Sequence, residues 1–349
     1  MVWRFFICLV LDKLSCIFIE IIFTDPAQKQ LNFSSHMFID SGLILISLIF
    51  LYYGGEFLVT GSLRLAQALK ISPFIIGATV IGFGTSTPEL AVSLMASIQD
   101  SGDLALGNII GSNITNIGLV LGLTALIIPL TIEKKRYLDE SPSLIITSAL
   151  IVVFSWDNYL GRIEGLIMVS LLFIYLWRAF TKKEIIDINT SEINFFSKWE
   201  RPIFHIVLVI LGIMMLVLGA SWMVEGATGI ARKIGVSEWF IGVSIVALGT
   251  SLPELTSSII AAKKGHGEMA IGNIFGSNIF NILMVIGIAS TIHPLSIEEK
   301  IYTDLIFTTI LTCLMLLLIR IGYVIKKQDG IILCLCYGSY MGLKGMGLL

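Results

Sequence analysis

The chain alternates long apolar runs with short polar stretches. A helix that crosses the hydrocarbon core of a bilayer needs about 20 mainly apolar residues. Ten runs reach or approach that length, at about residues 40–61, 72–98, 104–129, 141–156, 160–180, 203–224, 237–262, 268–292, 302–320 and 329–344. The fourth and tenth are the least regular, being short or interrupted by glycine. The runs are continuous rather than alternating, which predicts helices and not a membrane β-barrel. The expected fold is an all-α polytopic membrane protein of about ten transmembrane helices.

Composition agrees with this pattern. Of 349 residues, 56% are hydrophobic and 14% charged, against about 25% charged in a soluble domain. The bilayer is the expected solvent and first partner. A net charge of −2, with no basic run interleaved with aromatics, gives no support to nucleic acid as a partner. Cys8, Cys16, Cys313, Cys334 and Cys336 form no C-x-x-C pair and fall in apolar segments, where a thiol acts as a small hydrophobe. His36, His205, His266 and His293 lack metal-ligand spacing, so neither zinc nor another cofactor is expected.

Residues 1–39 fit the pattern poorly. The segment 5–23 is apolar but holds Asp12, Lys13 and Glu20. It reads as a signal peptide, an extra helix, or translated sequence upstream of the native start. Met37 opens directly into the first clean apolar run and is the preferred start.

An internal repeat organises the rest. Displacing the chain by 165 residues brings Gly84-Thr85-Ser86-Thr87-Pro88-Glu89-Leu90 onto Gly249-Thr250-Ser251-Leu252-Pro253-Glu254-Leu255. The same shift brings Gly107-Asn108-Ile109-Ile110-Gly111-Ser112-Asn113 onto Gly272-Asn273-Ile274-Phe275-Gly276-Ser277-Asn278, Asn116 onto Asn281 and Pro129 onto Pro294. The chain divides into repeats at 40–180 and 202–349, joined by a short polar linker at 181–201. Each repeat holds five helices. An odd number makes the second repeat enter the membrane from the opposite side, giving the inverted symmetry of many secondary transporters. Lys134, Lys135, Arg136, Lys182, Lys183, Lys263, Lys264, Lys326 and Lys327 collect on one side, against Arg162, Arg232, Lys233, Lys300 and Lys344 on the other. The richer side, with the linker, is expected in the cytoplasm, and residue 40 outside.

The candidate chemistry lies in the repeated motifs. Glu89 and Glu254 sit deep in apolar sequence, with no Lys or Arg in the neighbouring segments. An intramembrane carboxylate costs several kcal/mol unless it meets a partner or a wet cavity. Two of them at matching positions point to a bound cation. Pro88 and Pro253 remove a helix hydrogen bond and displace the carbonyls of Gly84 and Gly249, although proline kinks are also common in membrane helices without any ligand. Thr85 and Thr250 share a helix face with the glutamates at i,i+4, while Ser86 and Ser251 lie in the adjoining sector. Back-bonding to the helix is the ordinary alternative for such hydroxyls. Ser112 with Asn116, and Ser277 with Asn281, form polar stripes at i,i+4 on the third and eighth helices. Asn108, Asn113, Asn273 and Asn278 are further amides, and Gly107, Gly111, Gly272 and Gly276 permit close helix packing. All the donors are hard oxygens, which suits calcium and sodium. Competition for shared ligands would let one ion's gradient drive the other.

At these residues the chain resembles the sodium/calcium exchanger family, within the cation/calcium antiporter superfamily, over about residues 40–344. The resemblance implies ten helices, inverted repeats and ion ligands on helices two, three, seven and eight. Carried over by motif position, the ligands are Thr85, Ser86, Glu89, Ser112, Asn116, Thr250, Ser251, Glu254, Ser277 and Asn281, with backbone oxygens of Gly82 and Ala247. It further implies a moving gate of the first and sixth helices, for which Gly54, Gly55, Gly61, Gly219 and Gly226 offer a smooth surface. Gly82 stands where alanine is common in the family. Asn116 and Asn281 are both neutral where some branches carry Asp, which argues against potassium or proton coupling. The short linker is similar to that of prokaryotic members, which implies the plasma membrane of a bacterium or archaeon.

The expected function is sodium/calcium antiport by alternating access, with no enzymatic activity, exporting calcium; the resemblance implies more than two sodium ions per calcium. A calcium/proton antiporter using the same glutamates is the alternative. A calcium channel fits inverted broken helices less well. An intramembrane enzyme lacks a nucleophile–base set or a metal motif. A monomer suffices for transport on this reading, which leaves the oligomeric state open.

Overall fold

A computed structural model of the protein describes residues 26–99, 101–181, 202–236, 245, 247–297 and 300–346, with backbone alone for 26–36, 202, 247 and 300. The segment 5–23, the linker beyond Thr181 and the first part of the expected seventh helix lie outside the described residues.

Ten helical passages follow in order among the described residues. They are α1 (Pro26–Leu69), α2 (Pro73–Thr85 and Thr87–Ile98), α3 (Gly102–Ile127), α4 (Lys134–Phe154), α5 (Arg162–Thr181), α6 (Pro202–Lys233), α7 (Ala247–Thr250 and Leu252–Lys263), α8 (Gly267–Ile292), α9 (Lys300–Arg320) and α10 (Lys327–Gly345). Seven of the described helices are long and apolar enough to cross a membrane, and the bent pair of α2 makes an eighth span. The protein is a multi-pass integral membrane protein of the all-α class expected.

Several boundaries differ from the apolar pattern for one reason. Apolar runs mark where a helix meets lipid, not where it ends. The first run was expected to close near residue 61, yet α1 continues to Leu69 through Leu, Arg, Ala and Gln, all good helix formers. Lys70, in left-handed conformation at φ 56°, ends it. Upstream, α1 reaches back past Met37 to Pro26, giving 44 residues. At 1.5 Å per residue this is about 66 Å, so α1 extends past a bilayer core of about 30 Å. Likewise α4 begins at Lys134 on a polar turn, ahead of its apolar part. Ser72 starts α2 by accepting from the Ile75 amide at 3.2 Å, with Pro73 in the first turn where its missing N–H costs nothing.

Burial places α8 at the centre, with 94% of its most apolar stretch buried, and α3 beside it at 78%. The corresponding stretches of α1 and α6 are 33% buried, which sets them at the periphery. Glycine allows α8 to touch α2 backbone to backbone: a Cβ on Gly276 would stand 2.1 Å from the Ala78 carbonyl oxygen. The antiparallel α1/α6 contact is built similarly, since a Cβ on Gly54 would stand 2.9 Å from the Leu216 nitrogen. Gly61, Gly219 and Gly226 share that contact, whereas Gly55 faces Thr256 and Ile260 on α7 instead. Lys264, at the end of α7, ties α1 to it through Glu56 at 2.7 Å and Thr60 at 3.2 Å.

Four two-residue strands reveal the relation between the repeats. They are β1 (Leu130–Thr131), β2 (Tyr159–Leu160), β3 (Leu295–Ser296) and β4 (Val324–Ile325). β1 pairs antiparallel with β4, and β2 with β3. The 165-residue displacement turns β1 into β3 and β2 into β4, so it exchanges the two pairs. β1 follows the third helix of its repeat, whereas β4 follows the fourth helix of the other. These can meet on one membrane face only when the repeats run in opposite directions, which is the inverted arrangement expected from five helices each.

Candidate ion-binding site

The site lies where α2 and α7 break beside α3 and α8. In α2 the break is at Ser86, whose backbone (φ −81°, ψ 4°) leaves helical geometry and bends the two segments by 45°. Ser251 adopts the same conformation in α7 (φ −91°, ψ 4°). Pro88 and Pro253 occupy the first turn after each break, so the chain pauses just before the residue that lacks an N–H. The halves differ in detail: the Ser86 amide donates to the Gly82 carbonyl at 3.1 Å, but the Ser251 amide donates to Leu248, three residues back, at 3.2 Å. The Gly82 carbonyl also accepts from the Thr85 hydroxyl at 3.5 Å. Of Ala247 the backbone alone is described.

Immediately past the breaks, Glu89 and Glu254 are fully buried. Each lies in the first turn of the segment that follows its break, one from each repeat. Neither Glu89 oxygen has a hydrogen-bond partner among the described residues, although the Ser112 hydroxyl faces it. One Glu254 oxygen accepts from Ser277 at 3.5 Å and the other is unpartnered. Ion pairs in this structure join Lys233 to Asp40, Lys264 to Glu56 and Lys344 to Asp304, all away from the two glutamates. A buried carboxylate left so would be strongly unfavourable without a cation.

Two of the other predicted residues, Thr85 and Ser277, meet beside Glu254. Thr85 shares a hydrogen bond with Ser277 at 3.2 Å and donates to Asn273 Oδ1 at 3.4 Å, linking the repeats directly. Ser86, Ser251 and both amide atoms of Asn116 are buried without partners, as is Asn281 Oδ1. Thr250 is hydrogen-bonded or otherwise engaged rather than free. Asn116 and Asn281 each open a π-helical turn, Asn116–Leu121 and Asn281–Ile286. Such turns are frequent at functional sites because they re-aim side chains.

A supporting layer was not read from the sequence. Asn108 Nδ2 donates to Ser93 at 2.8 Å and to the Glu89 carbonyl at 3.4 Å. In the second repeat Asn273 Nδ2 donates to Ser258 at 3.0 Å, Ser257 at 3.1 Å and the Glu254 carbonyl at 3.4 Å. These amides face the carboxylate-bearing helix and brace it. A signal was present, since Ser93 and Ser258 stand four residues after each glutamate, on the same helix face.

Inverted repeats, broken helices and a buried carboxyl in each half define a class: a polytopic helical carrier built of two inverted halves. A profile of the sodium/calcium exchanger protein family matches the chain twice, over residues 40–181 and 204–346. Putative antiporter CaxA of Alkalimonas amylolytica is 35% identical over 317 residues, covering 88% of this chain and 99% of that one. Sodium/calcium exchanger MaX1 of Methanosarcina acetivorans is 31% identical over 343 residues, covering 86% and 96%. The solved structure of the sodium-calcium exchanger NCX_Mj soaked with 10 mM Na+ and zero Ca2+ superposes with a TM-score of 0.76 at 33% identity, over 88% of this chain and 99% of that one. The chain belongs to the sodium/calcium exchanger family, which consists of transporters and not enzymes.

Proposed function

We propose that this protein exchanges sodium for calcium across the plasma membrane of a bacterium or archaeon, by alternating access to one site. The observation that carries this reading is the pair of buried glutamates, one from each repeat, three of whose four carboxyl oxygens have no hydrogen-bond partner among the described residues. Glu89 and Glu254 supply the charge. Thr85, Ser86, Ser112, Asn116, Thr250, Ser251, Ser277 and Asn281 supply hydroxyl and amide oxygens, with carbonyls of Gly82 and Ala247. Calcium takes six to eight such donors in flexible geometry, and sodium favours the same donor type. Two carboxylates balance one calcium ion or most of the charge of several sodium ions. Shared ligands make the loads mutually exclusive, so each ion leaves when the other binds. With more than two sodium ions per calcium the cycle moves net charge, and the inward sodium gradient drives calcium out.

The test is uptake of radiolabelled calcium by proteoliposomes under an outward sodium gradient, a proton gradient, or neither. Sodium-driven uptake is expected. Uptake driven by protons alone would move the function to calcium/proton antiport. Uptake insensitive to both gradients would make the protein a channel.

A further inference from the structure

Two asparagines deep between α3 and α8 are joined across the repeats. Asn281 Nδ2 donates to Asn113 Oδ1 at 3.0 Å, and Asn113 Nδ2 donates to the Asn278 carbonyl at 3.4 Å. Asn113 is 1% exposed and Asn281 fully buried. Both polar ends of the Asn113 amide are therefore in use.

A side-chain amide has two unlike ends, and a half-turn exchanges an acceptor oxygen for an NH2 group. A cation accepts the oxygen and is repelled by the hydrogens. With its nitrogen bound to Asn113, Asn281 has its oxygen as the remaining end, and that oxygen has no protein partner. A half-turn would strand Nδ2 and set two oxygens face to face in a buried place, where an unmet polar group is costly.

The other repeat lacks this arrangement. Asn278, the counterpart of Asn113, donates along its own helix to the Ile274 carbonyl at 2.7 Å. Asn116, the counterpart of Asn281, has no partner on either amide atom among the described residues.

We infer that Asn113 is a positioning residue that holds the Asn281 amide with its oxygen toward the bound cation, making Asn281 a preset ligand while Asn116 is oriented only by the ion. This rests on the exchange function proposed above. Groups that orient a metal's ligands typically contribute ten- to hundredfold to its affinity.

The experiment compares the parent protein with Asn113→Leu, Asn113→Ala, Asn281→Ala and the double variant Asn113→Ala/Asn281→Ala in proteoliposomes. Leucine keeps the branched outline of asparagine without its polar ends, and alanine serves if the bulkier leucine does not fold. Asn113→Leu is expected to raise the calcium KM about tenfold, with the maximal rate within about twofold. The double variant is expected to match Asn281→Ala, because the partner's orientation no longer matters once Asn281 is gone. An unchanged KM in both Asn113 variants, or losses that add in the double variant, would overturn the assignment. If the parent protein moves no calcium, the exchange reading fails instead, which separates the two failures.

Discussion

Charge and oxygen orientation decide the site at the scale of single residues. Glu89→Gln and Glu254→Gln each keep the side-chain shape and remove one of two charges. Each is expected to lower sodium-driven calcium uptake by more than about a hundredfold, beyond the effect of altering a ligand's supporting group. Size-exclusion profiles of the purified variants should match the parent, since the parent already buries these groups without protein partners for most of their oxygens. Retained uptake in both variants would refute the assignment. Asn273→Ala removes the brace on Ser257, Ser258 and the Glu254 carbonyl, and a smaller loss, about tenfold, is expected in the same assay. The ligand types were legible in the sequence because duplication repeats them in register. The braces were not, because the partner of an amide depends on its rotamer and on which helix packs against it. Nothing in the spacing of Asn113 distinguishes it from Asn278, although their hydrogen bonds differ.

At the scale of elements, glycine controls how closely helices approach. A side chain on Gly54 would meet the Leu216 backbone, which cannot step aside, whereas the place of a Cβ on Gly42 is open among the described residues. Gly54→Leu is expected to destabilise the protein by at least about 1–3 kcal/mol, the usual cost of overpacking. Gly42→Leu should leave the melting temperature within a degree or two of the parent. Thermal unfolding followed by intrinsic fluorescence compares them. The existence of most helices and the breaks at Pro88 and Pro253 were legible from apolar length and proline position. The extent of α1 and α4 was not, since helix formers carry a helix past the apolar run. The π-helical turns carry no compositional mark, and their start at Asn116 and Asn281 emerges only from three-dimensional packing.

For the whole molecule, the inverted arrangement makes a prediction about sidedness. Trp156, in the turn between α4 and α5, is 81% exposed, and its repeat counterpart Ile321, between α9 and α10, is 69% exposed. In a background without native cysteines, Trp156→Cys should react with a membrane-impermeant thiol reagent only from outside, and Ile321→Cys only from the cytoplasmic face. Labelling of both from one side would refute the inversion. The inversion itself was legible, because an odd helix count in a duplicated chain leaves no other way to continue. The strand pairs were not, since two residues such as Leu-Thr give no periodicity to detect.

Those ribbons bear on how such a molecule could arise. Each copy of the unit carries one strand of each ribbon, one after its third helix and one after its fourth. Two separate copies inserted head-up and head-down would therefore complete each other's ribbons with no new sequence. Joining them end to end would preserve a contact that an antiparallel homodimer already possessed, and later drift could then give the two halves different tasks, as the unequal asparagines illustrate.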